Sequence, residues 1–227
     1  MSFESVADAF RCLLPPDVAS VARADLGNSS ELYPIEAEAV TRAKPQRLAE
    51  FAAGRACARA ALVALGLPRG PIPRGQDRAP VWPAGTVGSI THCAGLCAAA
   101  AGLCATYAGI GIDTEVRRTV GSRLWKVASR AEEVAQLAQL PPDEAVELAT
   151  VYFSAREAFF KAQFPATRML LDHLDVRLSR VGDAAVDIEL CVPVPGLGGP
   201  GSRFRGLYRL RGDHVLSSVV LLRGAAA

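Results

Sequence analysis

The chain of 227 residues contains no run of about 20 consecutive apolar residues, the length a membrane-spanning helix requires. The alanine-rich segment from Cys97 to Ala108 is too short, so no stable membrane insertion is expected. The opening residues also lack the basic start and unbroken apolar stretch of a secretory leader, because Glu4, Asp8 and Asp17 interrupt them. A cytoplasmic location is therefore expected, and with it reduced thiols for Cys12, Cys57, Cys93, Cys97, Cys104 and Cys191. No CxxC pair occurs and no histidine joins the cysteines at metal-ligand spacing, so Cys93, Cys97 and Cys104 read as small buried side chains rather than a zinc site. An excess of either charge is missing too: 25 Lys and Arg against 23 Asp and Glu leave +2, which gives no case for binding nucleic acid. Any anion site must be local. There is no GxxxxGK[ST] and no GxGxxG, and the glycine-rich segment from Gly196 to Gly201 leads into no helix that might receive a phosphate.

What is present is a composition half hydrophobic, enough for one sizeable core or two small ones. From Gln46 to Leu65, Leu48, Phe51, Ala52, Cys57, Ala61, Leu62 and Leu65 recur at near-helical spacing between Pro45 and Gly66. The Pro- and Gly-rich stretch from Gly66 to Gly85, carrying Arg69, Arg74 and Arg78, predicts a basic loop. A strand is expected at Val87 to Thr91, followed by apolar runs at Cys97 to Ala101 and Ala108 to Ile112 with a break near Gly102. A helix is predicted over Arg123 to Leu140, and one or two further helices over Asp143 to Phe164, ending at Pro165. From Leu174 to Leu190 and from Phe204 to Leu222 the pattern becomes alternating, with turns at Gly182-Asp183 and Gly212-Asp213, the mark of antiparallel strands. The order suggests an α+β fold of two layered halves, residues 1–108 and 109–227, meeting near Gly109 to Glu115. No internal repeat is visible by letter identity.

Three constellations could carry chemistry. Asp113 and Glu115 share one face of a strand and offer hard oxygen ligands suited to Mg²⁺; taken alone, a strand end exposing two acids is the plainer reading. Glu157 and Lys161 lie one helical turn apart in the segment Phe153 to Ala162. Ser154 and Glu157 also fit a helix-capping pair, and spacing alone favours ordinary helix support. The third runs from Trp82-Pro83 to His92, with Arg74 and Arg78 upstream and Arg47 and Arg55 on the preceding helix. Guanidinium groups match phosphate oxygens bidentately, though a solvated face and a satisfied imidazole account for the same residues.

Together and in this order, Arg47 to Arg59, Arg74 to Gly95, Gly111-Ile112-Asp113-Thr114-Glu115 and Phe153 to Phe164 resemble the 4'-phosphopantetheinyl transferases of the Sfp type, more closely the branch of the enterobactin synthase component D. The resemblance covers Arg47 to about Pro165. It implies a pseudo-two-fold α+β monomer with its active site in the cleft between the halves. It implies transfer of the 4'-phosphopantetheine arm of coenzyme A to a serine of an acyl, peptidyl or aryl carrier protein, with release of 3',5'-ADP, in fatty-acid, polyketide, nonribosomal-peptide or siderophore synthesis. On this basis Asp113, Glu115 and Glu157 would hold Mg²⁺, with Mn²⁺ as the alternative ion. Glu157 would be the general base, with Glu115 or a metal-bound water as alternatives; Lys161 would contact the pyrophosphate. Arg47, Arg55, Arg74, Ser89, His92 and Arg156 would bind coenzyme A oxygens. Where the family has Lys-Glu this chain has Arg156-Glu157, which keeps the charge but cannot shuttle a proton. Arg78 has no counterpart in the family pattern and stays outside the expected site. Arg117, Arg118, Arg123, Lys126 and Arg130 give the segment after Glu115 a basic face that suits an acidic carrier and equally a solvated helix.

Overall fold

The structure is a computed structural model and describes residues 10–117, 125 and 128–224. In chain order its elements are β1 (Ala19–Arg23), α1 (Pro45–Ala64), β2 (Thr86–Cys93), β3 (Leu96–Leu103), β4 (Tyr107–Val116), α2 (Ala131–Leu137), α3 (Pro142–Thr167), β5 (Val176–Val181), β6 (Ala185–Leu190), β7 (Arg203–Arg211) and β8 (His214–Leu222). β1, β3 and β2 form an antiparallel three-stranded sheet covered by α1. β4, β8, β7, β6 and β5 form an antiparallel five-stranded sheet covered by α3. The expected α+β architecture of two α/β halves is the one found.

β3 is central in its sheet and alternates between two cores. Cys97, Ala99 and Ala101 face α1 with Ala53, Cys57, Ala61 and Leu62, whereas Ala98 and Ala100 face Phe10, Leu13, Tyr107, Ile110 and Leu216. Alanine is a weak strand former, but here both faces are covered at short range and larger side chains have no room.

The sheets meet along β2 and β4, where side-chain hydroxyls replace a backbone ladder. Ser89 Oγ accepts from Ile112 N at 3.1 Å and lies 3.4 Å from Ile112 O, and Thr91 Oγ1 accepts from Thr114 N at 3.1 Å. These contacts satisfy a strand edge that would otherwise present unpaired groups in the interior. On β4's other side, α3 comes close enough that a Cβ at Gly109 would stand 1.8 Å from Ala162 O, and one at Gly111 1.8 Å from Ala158 O.

Each half also carries one buried Arg–Glu pair of the same design. Glu36 and Arg59 are separated by 23 residues, as are Glu133 and Arg156, and Pro45 and Pro142 open the two long helices at the same interval after their glutamates. In each pair the glutamate accepts a backbone N–H from a later segment, Ile72 in one and Leu178 in the other. It also accepts one from three residues upstream, Tyr33 or Arg130. A repeat invisible by letter identity is present as a bonding pattern.

Three local expectations are corrected. The break falls at Cys104–Thr106 rather than at Gly102, which lies inside β3 because Tyr107 and Ile110 pack where its Cβ would be. α3 runs through Pro165 to Thr167, since a proline in the last turn removes only one late hydrogen bond; the stop is Arg168, left-handed at φ 57° with its N–H on Phe164 O. Ser154 caps nothing: it is buried in mid-helix. Of the helix expected over Arg123 to Leu140, α2 is found, but Ser129 and Arg130 interrupt the helix before it; Arg123 and Lys126 lie outside the described residues, as does Arg118.

Gly111→Ala is expected to force β4 and α3 apart, because the obstructing atoms are backbone. Overpacking of this kind costs about 1–3 kcal/mol, and a chain of this size loses about 2–4 °C in Tm per kcal/mol. A thermal melt at the wild-type Tm would show that the contact is not tight.

Candidate active site in the cleft between the halves

Period-two alternation along β4 puts Gly109, Gly111, Asp113 and Glu115 on one face. The glycines seat α3, and the two acids continue the same face toward Glu157 and Lys161, which α3 presents one turn apart. Lys161 Nζ donates to Asp113 Oδ1 at 2.6 Å and to Ile112 O at 3.3 Å; Thr91 Oγ1 lies 3.3 Å from the same carboxylate oxygen. Asp113 is 4% exposed, and its Oδ2 is buried with no hydrogen-bond partner among the described residues.

The acids repel one another. Burial, then the Asp113 carboxylate, pushes Glu115 up to about 7, against the pull of Lys161. Burial likewise raises Glu157, with Lys161 opposing and Asp113 adding to the shift. One lysine does not balance this cluster, and a buried carboxylate oxygen without a protein partner suits a divalent cation. Among the described residues no three carboxylate, histidine or cysteine groups close into a ready cage. Mg²⁺ does not need one, because it keeps several waters and takes substrate phosphate oxygens alongside one or two carboxylates. The residues present fit that ion.

The basic residues from α1 and the following loop gather at a cavity of about 590 Å³ lined by Arg47, Arg55, Arg74, Arg78 and His92. Arg55 is buried, donates Nε to Ile72 O at 2.6 Å and lies 4.2 Å over the Phe51 ring. Burial pulls its pKa down to about 10; Glu36 opposes this, while Arg59, Arg47 and Arg74 add to it. A guanidinium pressed by three others suits a bound anion. Arg47 Nη1 contacts His92 Nε2, and Glu50 stands 3.6 Å from His92 Nδ1. Burial and then Arg47 lower the histidine's pKa, which favours the neutral ring.

A second cavity, about 870 Å³, opens between the loop from Gly75 to Trp82 and the end of α3, with Phe160, Lys161, Phe164 and Leu170 on its far wall. Arg78, Pro80 and Ile90 line both cavities. An Asp77–Arg168 ion pair of 3.0 Å joins the loop to the end of the helix beside the larger one.

The structure thus brings together Asp113, Glu115, Glu157 and Lys161, and beside them Arg47, Arg55, Arg74 and His92. Ser89 lines the larger cavity, with its hydroxyl on the Ile112 backbone. Arg156 stays apart: it is fully buried against Glu133 with its Nε on His173 O at 3.0 Å, a correction to the expected coenzyme A contacts. Arg78 had been left out, yet it lines both cavities from a left-handed backbone at φ 70° and has no side-chain partner among the described residues. Its only hint in the sequence was its place in the basic loop ahead of Trp82. All six cysteines are free, and burial raises Cys57, Cys93 and Cys97 to about 11 or 12, which makes them inert thiols.

A cleft between two α/β halves, with a cationic cavity on one side and paired carboxylates beside a lysine on the other, defines a protein that handles a phosphorylated ligand with a divalent cation. Comparison with known families matches residues 35–102 to the 4'-phosphopantetheinyl transferase N-terminal domain and residues 109–195 to the 4'-phosphopantetheinyl transferase superfamily. The chain is similar to 4'-phosphopantetheinyl transferase Svp of Streptomyces mobaraensis, 44% identical over 75% of this chain and 70% of that one. It is also similar to 4'-phosphopantetheinyl transferase Npt of Nocardia iowensis, at 30% over 91% and 97%, and to 4'-phosphopantetheinyl transferase PptT of Mycobacterium tuberculosis, at 32% over 83% and 85%. The chain belongs to the 4'-phosphopantetheinyl transferase superfamily. It is an enzyme that transfers phosphopantetheine from coenzyme A to carrier proteins, in a family that uses Mg²⁺. Among the described residues no helix is long and apolar enough to cross a membrane.

The raised pKa of Glu115 has a sign. Between its ordinary value of 4.5 and about 7 the native state binds more protons than the unfolded chain, so metal-free stability falls as pH rises through that window and levels off above it. The Tm without metal should therefore be lower at pH 8 than at pH 5, and Mg²⁺ should raise it more at pH 8. A metal-free Tm no lower at pH 8, or equal Mg²⁺ effects at both pH values, would contradict this placement of the acids.

Proposed function

We propose that coenzyme A lies across the two joined cavities. Its 3'-phosphate and nucleotide would sit among Arg47, Arg55, Arg74 and His92, its pyrophosphate between Arg78 and Lys161, and its arm along Trp82, Phe160, Phe164 and Leu170. The observation that carries this reading is the wall the cavities share: a cationic chamber opens beside an apolar one at Arg78, the order of charge and carbon in coenzyme A itself.

Asp113, Glu115 and Glu157 would hold Mg²⁺, or Mn²⁺ in its place, and the bound ion supplies charge neutralisation at the pyrophosphate. Glu157 takes the proton of the carrier serine hydroxyl as its oxygen bonds to the β-phosphorus. The bond from that phosphorus to the bridging oxygen breaks, and 3',5'-ADP leaves. Lys161, held by Asp113 and the Ile112 carbonyl, keeps a positive charge beside the leaving oxygens. Arg47 and Arg55 anchor the far end of the substrate and so fix the reacting phosphorus.

We place the division between a nucleotide-binding half and a catalytic half at residues 1–108 and 109–227, where β4 joins β8 in the larger sheet. The working form is a cytoplasmic monomer of the enterobactin synthase component D branch, which the Trp82-Pro83 to His92 segment supports. Acyl, peptidyl or aryl carriers would dock by their acidic surface on the segment after Glu115; of its basic residues Arg117 binds Glu147 and the Gly212 carbonyl, and Arg130 the Leu174 carbonyl.

Intact-mass spectrometry of apo carriers incubated with the protein, coenzyme A and Mg²⁺ should show the gain of one phosphopantetheine, abolished by EDTA. Glu157→Gln should lower kcat by about 10²–10⁴, the usual worth of a general base; normal turnover would remove Glu157 from the site. Arg47→Ala should raise KM for coenzyme A by about tenfold or more, as loss of a charge-assisted hydrogen bond does, while dephospho-coenzyme A is little affected. Equal losses for both would mean that the 3'-phosphate is held elsewhere.

A further inference from the structure

Phe153, Glu157 and Phe160 stand at i, i+4 and i+7 on α3 and share one face. His173, in the short turn His173–Asp175 between α3 and β5, stacks on the Phe153 ring with centroids 5.5 Å apart and planes 18° apart. It also meets the Phe160 ring edge-on at 5.8 Å. A ring that touches both phenylalanines lies over the helical turn between them, which is the turn that carries Glu157.

The imidazole is held there from behind. Its carbonyl accepts from Arg156 Nε at 3.0 Å, and Arg156 is fully buried against Glu133. Asp172 caps the turn through Leu174 N, and Asp175 accepts from Asp172 N at 2.7 Å. His173 Nδ1 is buried with no hydrogen-bond partner among the described residues, and the Glu157 carboxylate has none either. His173 stands within electrostatic reach of Glu157.

We infer that His173 is a positioning residue: its Nδ1–H, unpartnered here, receives the Glu157 carboxylate when that side chain turns toward the ring, and so aims the carboxylate at the serine hydroxyl. An imidazole N–H on a carboxylate fixes the orientation of both groups; the two phenylalanines hold the ring, so the flexible glutamate side chain makes the approach. The inference rests on the reading of Glu157 as the acceptor of the serine proton. It also gives the buried Arg156 a reason to stand beside Glu157: it acts through the carbonyl of the residue that orients its neighbour.

Two variants separate positioning from packing. His173→Phe keeps an aromatic ring for both stacks and removes the nitrogen, whereas His173→Asn puts an amide nitrogen where Nδ1 lies and gives up the stacks. His173→Phe should keep the wild-type Tm and KM for coenzyme A and lose about tenfold in kcat, within the range a misplaced reacting group produces. His173→Asn should melt lower yet turn over faster than His173→Phe. If activity instead follows stability, with His173→Phe as fast as wild type and His173→Asn slow, His173 only packs and the inference is overturned. A rise in KM at constant kcat overturns it equally. No transfer by the wild-type protein in the same assay would overturn the reading of the reaction itself, and so the two failures are distinguishable.

Discussion

The backbone of α3 rests directly on the backbone of β4, and the working parts of the molecule depend on that contact. Gly109 and Gly111 leave no side chain between strand and helix, and Ala158 and Ala162 supply the smallest one that still packs. Once helix and strand lie this close, the next two side chains on the same strand face, Asp113 and Glu115, are level with Glu157 and Lys161. The acidic cluster is thus a by-product of packing: the helix that seals the core of the second half also carries half of the site. Its charges are left unbalanced because the same contact that assembles them excludes water.

The duplicated Arg–Glu pair gives that helix its rotational setting. An arginine buried to this extent is costly unless it is paired with an opposite charge, and the geometry that pairs it with its glutamate is narrow. Arg156 therefore fixes which face of α3 looks inward, in the way Arg59 does for α1. In the first half the ordered helix presents Arg47 and Arg55 to the smaller cavity, and in the second it presents Glu157 and Lys161 beside the acids of β4. One scaffold used twice yields a basic cavity on one side and an acidic cluster on the other.

Much of this was legible in the sequence, for identifiable reasons. The extents of α1 and of the later strands follow from apolar periodicity and turn residues, and the acids of β4 from the alternation of a strand. The misreadings share one cause, that a motif states which residues are adjacent but not which way they point. Arg156 and Glu157 are neighbours in the chain but point about 100° apart around a helix of 3.6 residues per turn, so one enters the core and the other the cleft. Ser89 lines the larger cavity, and its hydroxyl is also half of a seam that its local sequence does not announce. Ser154 looked like a cap because a capping pair has the same spacing wherever it falls in a helix. Gly102 looked like a break because small residues mark both turns and close packing. Arg78 was set aside because the family pattern has no counterpart for it, and nothing local distinguishes a loop arginine at the junction of two cavities from one in solvent.

The seam itself has a consequence for how such a molecule can change. Two sheets continued by backbone bonds would form a single slab, and any adjustment of one half would be carried into the other. Here Ser89 and Thr91 tie the slabs together through their side chains. Beside them Ala98 and Ala100 of one sheet pack on Ile110, Ile112 and Leu216 of the other. The joint is therefore made of side chains, and a substitution there changes its fit without breaking a ladder bond of either sheet.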